Sequence, residues 1–258
     1  MGWGDEIIVS GLARRAQQTD RRPVRVVDGG GRVRWNGIWQ GNPRFAAPDA
    51  GGPVQRLVSG PGRRPYIARE TATRWIFREW VCPVGEIHLD PAERRFGRAG
   101  RGRVLVEPHL KAAASPNKDW GRARWTALVA ALTGDGWDVV QLGPAGTPLL
   151  PGAALVETPG FRAACAVLAQ VRLAILPEGG LHHAAAALGT PAIVLFGGFI
   201  SPSQTGYAHQ LNLFSGGEPC GMRRPCRHCR QAMAHIEVER VLAEARALLA
   251  AVPEDWPE

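Results

Sequence analysis

The chain has 258 residues, 45% of them hydrophobic, and a formal net charge of +8 at pH 7, with an isoelectric point near 10.0. That length can bury a substantial core and suffices for two compact α/β units, while Met1 to Ser10 lack a basic segment followed by an apolar one and no stretch approaches a membrane span, so a cytosolic protein is expected. Five cysteines in that setting argue for thiols or a metal site rather than a disulfide framework, and the charge implies anionic partners: nucleotide diphosphates, a phosphate-bearing acceptor, nucleic acid or an anionic membrane surface.

In chain order, Gly4-Asp5-Glu6 opens a helix whose apolar face is Ile7, Ile8, Leu12 and Ala13, running to about Gln18. Asp5 stands at the expected N-cap. Val24 to Val27 reads as a short buried strand ending at Asp28. From Arg32 to Gly62 the sequence is rich in Gly and Pro, with Val54 to Val58 as its clear strand and Trp35, Trp39 and Phe45 needing something to pack on. Trp75 to Trp80 is expected to be helical, Glu86 to Leu89 a short strand, and Asp90-Pro91-Ala92-Glu93 a helix start. The run Arg94 to Arg103 reads as a solvated linker, which places a domain boundary near residue 100.

The second half is more regular. Val104 to Val106, Trp137 to Leu142, Val171 to Leu176, Pro191 to Phe196 and Leu211 to Phe214 read as strands. Trp120 to Leu132, Phe161 to Ala169 and Val238 to Ala251 read as helices. This alternation predicts a doubly wound parallel sheet with its ligand at the carboxyl ends of the strands. Two loops fall at such ends: Ser115-Pro116-Asn117-Lys118-Asp119, and Leu142-Gly143-Pro144. Only Lys111 and Lys118 are lysines in a chain whose default cation is arginine, which hints at a compact ammonium on phosphate at Lys118.

The most informative stretch is Pro177-Glu178-Gly179-Gly180-Leu181-His182-His183. It follows a buried strand and opens an Ala-rich helix, so the backbone N–H groups of Gly179, Gly180 and Leu181 and the positive end of the helix dipole form an anion site. Glu178 could hold a sugar hydroxyl and His183 lies beside the phosphates. The alternative is an ordinary strand-to-helix turn with a solvent-exposed Glu and a core His.

Together, Gly4-Asp5, Lys118-Asp119-Trp120 before a helix, the acid-Gly-x-x-x-His pattern ending at His183, Ala187-Leu188-Gly189-Thr190-Pro191 before a strand ending Phe196-Gly197, and a late cysteine cluster resemble glycosyltransferase family 9. The similarity is clearest over 104–249. It implies a GT-B-like α/β fold of two Rossmann-like domains, here with a reduced N-terminal domain: an acceptor-side domain at 1–100 and a nucleotide-sugar-binding domain at 101–258. A strand precedes Gly-Asp in that family, whereas only Met1-Gly2-Trp3 precede it here. The implied activity is transfer of a heptose or hexose from a nucleotide-diphosphate donor, an ADP-sugar by preference, to a glycan or other phosphorylated acceptor in cell-envelope synthesis. Inversion at the anomeric carbon without a catalytic cofactor is implied, in the cytoplasm or at the periphery of the inner membrane. Asp5 corresponds to the proposed general base, Lys118 to the lysine that neutralises the leaving diphosphate, Glu178 to a position usually held by Asp, and His183 to the histidine near the phosphates.

Cys220, Cys226 and Cys229 have C-x5-C-x2-C spacing, and one of the neighbouring His228 and His235 would complete a tetrahedral structural zinc site. A cluster of thiols without metal is the competing reading. A second function class is compatible with the charge: a basic nucleotide- or nucleic-acid-binding protein with weak or no transferase activity.

Overall fold

The computed structural model describes residues 1–110, 114–215 and 217–251. Helix α1 (Trp3–Thr19) precedes a parallel pair, β1 (Val24–Val27) with β2 (Gln55–Val58). An antiparallel hairpin follows, β3 (Ile67–Glu70) with β4 (Trp75–Phe77), and then α2 (Pro91–Gly97). The rest alternates: β5 (Val104–Val106), α3 (Arg122–Gly134), β6 (Val139–Gly143), β7 (Ala154–Glu157), α4 (Phe161–Leu168), β8 (Leu173–Pro177), α5 (Gly180–Leu188), β9 (Ala192–Phe196), α6 (Pro202–Thr205), β10 (Leu211–Phe214), α7 (Arg227–Ala234) and α8 (Val238–Ala251). Among the described residues no helix is long and apolar enough to cross a membrane.

Strands β5 to β10 form one six-stranded parallel sheet in the order β10-β9-β8-β5-β6-β7. The order reverses between β5 and β8, and the loops leaving these two strands splay apart to open a crevice there. Both faces of the central strands are covered, so β5, β8 and β9 are apolar throughout. Leu105, Ala174, Leu176, Val194 and Phe196 face a core shared with α4, α5 and α1. Their neighbours Val104, Val106, Leu173, Ile175, Ile193 and Leu195 face a second core with Trp125 and Leu128 of α3 and Val241 and Ala245 of α8.

Four local expectations are corrected. Trp75 to Phe77 is a strand rather than a helix, paired with Ile67 to Glu70. Glu86 to Leu89 joins no sheet, and the Glu86 N–H donates instead to Ser10 Oγ (2.7 Å) of α1. Arg94 to Arg103 is not simply a solvated linker. Asp90 caps α2 through a reciprocal bond with Glu93, the helix runs to Gly97, and a 3-10 turn continues to Gly100. Gly97 and Gly100 rest against the carbonyls of Ala166 and Val167, so α2 packs on α4 while most of the arginines face solvent. Finally, α1 begins two residues before Asp5, with Gly2 as its N-cap. Asp5 therefore occupies the third helical position, and its carboxylate accepts the Gly2 N–H (3.1 Å).

Candidate active site

A cleft of about 800 Å³ opens at the carboxyl ends of β5 and β8 and is closed on its far side by the start of α1 and the β3–β4 hairpin. It gathers Asp5, Lys118, Gly143, Glu178, Gly179, Gly180, Leu181 and His183 into one space.

The wall contributed by the first half is built around Asp5. Its carboxylate accepts three bonds, from Gly2 N–H, Arg64 Nε (3.1 Å) and Tyr66 OH (2.7 Å). Burial, reinforced by the adjacent Asp5 charge, holds the Tyr66 hydroxyl far above its usual range, so it stays a phenol and a donor. Gly4 explains how α1 comes so close to the opposite wall: a Cβ there would lie 2.4 Å from His183 Cδ2, so only glycine lets the helix start rest on the imidazole. Beside it, Trp3 stacks on Phe161 with ring centroids 4.8 Å apart and planes 3° from parallel.

The second half supplies the charged floor. Glu178 is 5% exposed, so it is not the solvent-facing side chain of an ordinary turn. Burial alone would raise its carboxyl, but Lys118, which bonds it directly, and neighbouring His182 more than offset this and hold it below its usual range. The Lys118 ammonium also sits 5.1 Å from the centre of the Phe199 ring. A buried ion pair of this kind is isolated from solvent and becomes costly if either partner is lost.

Two buried histidines set the turn. Burial pushes both imidazoles below their usual range, His183 most strongly, so both are neutral at pH 7. His182 Nε2 faces the Thr205 carbonyl (2.8 Å), which can only accept, so its Nδ1 is the acceptor for the Gly179 N–H (2.9 Å). That N–H is thereby used within the protein, while Gly180 and Leu181 open α5 in the cleft lining, where the first N–H groups of a helix lack intrahelical acceptors. His183 Nδ1 bonds Tyr207 OH (2.7 Å), and its Nε2 lies 3.9 Å from Glu178 Oε1.

Several lining residues were not anticipated. Glu107 follows directly on β5; its Oε2 accepts the Leu142 N–H (3.2 Å), and its Oε1 accepts from the backbone (3.0 Å) and Nδ1 (2.7 Å) of His109. The bond to Glu107 raises the His109 pKa against its partial burial. An acidic residue immediately after a wholly apolar strand was the available signal. Arg64 and Tyr66 carried none, since their bond to Asp5 spans some sixty residues.

The cysteine cluster lies behind the Lys118 turn. Cys220 Sγ is 3.0 Å from Cys229 Sγ and 3.8 Å from Cys226 Sγ, and His228, not His235, completes a set whose ligand atoms all lie within 4.8 Å of one another. Tetrahedral zinc–thiolate geometry sets sulfurs about 3.8 Å apart, which the Cys220–Cys226 pair meets and the Cys220–Cys229 pair would have to open to reach; three thiols and an imidazole are the donor types that suit a thiophilic divalent ion. The hydrogen bond from Cys229 lowers Cys220 to about 5 despite its partial burial, and the same contact raises Cys229, so one thiolate is already favoured.

Comparison with known proteins agrees with this geometry. The sequence profile of glycosyltransferase family 9 (heptosyltransferase) matches residues 83–235. No curated protein matches the chain. Among solved structures, the family 9 glycosyl transferase of Veillonella parvula aligns over 98% of this chain and 96% of its own, with a TM-score of 0.65 and 14% identity. The dodecameric iron-containing E. coli heptosyltransferase TibC in complex with ADP-D-beta-D-heptose aligns over 81% and 63%, with a TM-score of 0.52 and 13% identity. E. coli ADP-heptose lps heptosyltransferase II aligns over 66% of this chain at 19% identity and a TM-score of 0.49, and this chain spans 54% of that protein's length. The likenesses to the Veillonella parvula protein and to TibC identify an α/β fold of the GT-B type, with the six-stranded sheet as its Rossmann-like second half.

Proposed function

Because the chain belongs to glycosyltransferase family 9, we propose that its cleft transfers a heptose or hexose from a nucleotide-diphosphate donor to an acceptor hydroxyl. The observation that carries this reading is the meeting, in one cleft, of a carboxylate from the first half with a lysine and a helix start from the second. Residues 1–100 would present the acceptor and 101–258 would hold the donor. The diphosphate lies against Lys118 and the N–H groups of Gly180 and Leu181, with the neutral His183 beside it. Glu178 holds Lys118 and accepts from a donor hydroxyl.

In the reaction, the acceptor oxygen attacks the anomeric carbon from the face opposite the diphosphate. The new C–O bond forms as the bond to the diphosphate breaks, the hydroxyl proton passes to Asp5, and the configuration inverts. Lys118 meets the charge that develops on the leaving diphosphate, so in this mechanism no catalytic metal is needed. Arg64 and Tyr66 orient the Asp5 carboxylate. An ADP-sugar is favoured as donor by analogy with the ADP-heptose complex of TibC. A phosphorylated envelope glycan is favoured as acceptor by the net charge of +8, which also suits a place at the inner face of an anionic membrane. Cys220, Cys226, His228 and Cys229 would hold zinc in a structural site.

Asp5→Asn tests the assignment. Asn can still accept the Gly2 N–H at the third helical position but cannot take the proton, so transfer from an ADP-sugar should fall by roughly two to four orders of magnitude while ADP affinity stays near the parent value. Transfer at the parent rate would remove Asp5 from the mechanism. Salt-sensitive duplex binding by a protein with no transferase activity would favour the nucleic-acid reading instead.

A further inference from the structure

The segment from Cys220 to Cys229 touches both walls of the cleft. On the first-half side, Arg74 Nε donates to the Cys220 carbonyl (2.7 Å), the Trp75 N–H to the Gly221 carbonyl (2.9 Å) and the Arg223 N–H to the Thr73 carbonyl (2.8 Å). The segment thus extends the hairpin that follows Arg64 and Tyr66. On the donor side the N–H groups of Cys220 and Gly221 donate to the carbonyls of Gly198 (2.8 Å) and Phe199 (3.0 Å) in the loop after β9, and the link to the Lys118 turn runs mainly through one side chain. Asn117, 6% exposed, donates through Nδ2 to the carbonyls of Met222 (2.7 Å) and Arg224 (2.8 Å), and its Oδ1 accepts the Cys226 N–H (3.0 Å). Ser115 adds a bond from its Oγ to the Met222 carbonyl (2.9 Å).

Asn117 immediately precedes Lys118, and both belong to a single 3-10 turn, Pro116–Lys118. A turn that short has little stability of its own and takes its position from what it leans on. Here it leans on Cys226, whose thiol belongs to the cysteine cluster and also caps α7. With three thiols and one imidazole converging, the segment can hold this shape firmly only when the charge of the thiolates is met.

We propose that Asn117 is a positioning residue that couples a thiolate-bound divalent metal at Cys220, Cys226, His228 and Cys229 to Lys118, so that loading the cluster sets affinity for a nucleoside diphosphate. This rests on the donor site described above. Metal closes the segment, the segment presents two carbonyls and one N–H to Asn117, and Asn117 fixes the turn that aims the ammonium. Ala at this position removes all three bonds and leaves every metal ligand in place.

The test uses the whole chain loaded with zinc(II), titrated calorimetrically with ADP and with adenosine before and after removal of the metal by a chelator. In the parent, metal removal should raise the ADP Kd about tenfold, leave the adenosine Kd unchanged, and be reversed by adding zinc(II). Asn117→Ala should keep one equivalent of zinc, bind ADP about tenfold more weakly than the loaded parent, and lose its response to chelation, because the two changes break one link. Ser115→Ala should act in the same direction more weakly, and it serves if Asn117→Ala does not fold. The coupling is overturned if the parent takes up no zinc, if its ADP Kd ignores metal removal, or if the effects of variant and chelator simply add. A loaded parent that binds no ADP overturns the donor site together with the coupling, whereas ADP binding without metal sensitivity overturns the coupling alone.

Discussion

Replacing Lys118 with Met keeps an unbranched stem over Phe199 and removes the charge that Glu178 was folded against. Glu178 is 5% exposed and bonded directly to the lost ammonium, with His183 Nε2 no nearer than 3.9 Å. Removing one partner of a buried pair costs about 3–5 kcal/mol. Because the Lys118 side chain keeps 15% exposure, the lower end applies: about 3 kcal/mol, or roughly 6–12 °C in Tm for a chain of this size. The penalty depends on pH with a definite sign. In the parent, Glu178 is held below its ordinary 4.5, so its contribution is complete above that value and is lost as the pH falls. In Lys118→Met, burial keeps only the weaker opposition of His182 and Thr205, so the carboxyl should rise above 4.5, and the folded state is then favoured at low pH and loses ground as the pH increases. The gap in Tm between parent and variant should therefore widen from pH 5 to pH 8. Adding Glu178→Gln should recover most of the lost stability while ADP binding stays weak, which separates folding from ligand recognition. A Lys118→Met protein that melts with the parent across this range would show that the pair is not a buried ion pair, and the charged floor of the cleft would have to be redrawn.

Gly4→Ala places a methyl 2.4 Å from His183 Cδ2 and should cost about 1–3 kcal/mol in urea unfolding; Gly51→Ala, with open space around it, should be near neutral, and equal effects would refute the packing argument. Burial holds His182 and His183 below 6.5, so the unfolded chain binds protons that the folded one refuses. Stability should fall as the pH drops below 6.5, by up to about 1.4 kcal/mol per pH unit for each histidine, and His183→Gln should flatten the dependence. Raised His109 acts oppositely, adding stability below 6.5 that is lost as the pH climbs through its folded value, so a flat profile in the parent would require the two effects to cancel. Cys226→Ser, or chelation of the parent, should lower Tm, and elemental analysis finding neither zinc nor iron in fresh protein would return the cluster to free thiols.

The second half was legible because its information is local. Short apolar runs rich in β-branched residues and bounded by turn signals, such as Ala192 to Phe196, read as strands buried on both faces, and the Gly-rich turn before α5 marks its own position. β7 was missed because it is an edge strand with two of its four residues exposed. The first half was less legible for a different reason. Trp75 to Phe77 has the apolar density of a helix, but its shape is decided by β3 and by Gly221, some 146 residues away. Glu86 donates its N–H to a serine of α1 rather than to a sheet partner. In the site, Lys118 and Glu178 were visible as isolated signals, yet their bond to each other was not, and it changes what a lysine deletion means. Arg64 and Tyr66 became visible only once the chain had folded back on Asp5.

The close seat of α1 on α5 has an architectural consequence. The distance between the carboxylate on one wall and the imidazole on the other is fixed by a direct glycine-to-ring contact, not transmitted through the β1–β2 pair. Most of the first half could therefore be pared down or redecorated without disturbing the spacing of these two side chains. A chain in which that half keeps a parallel sheet of two strands is what such freedom would leave behind, with the spacing of Asp5 and His183 kept in one helix–helix joint.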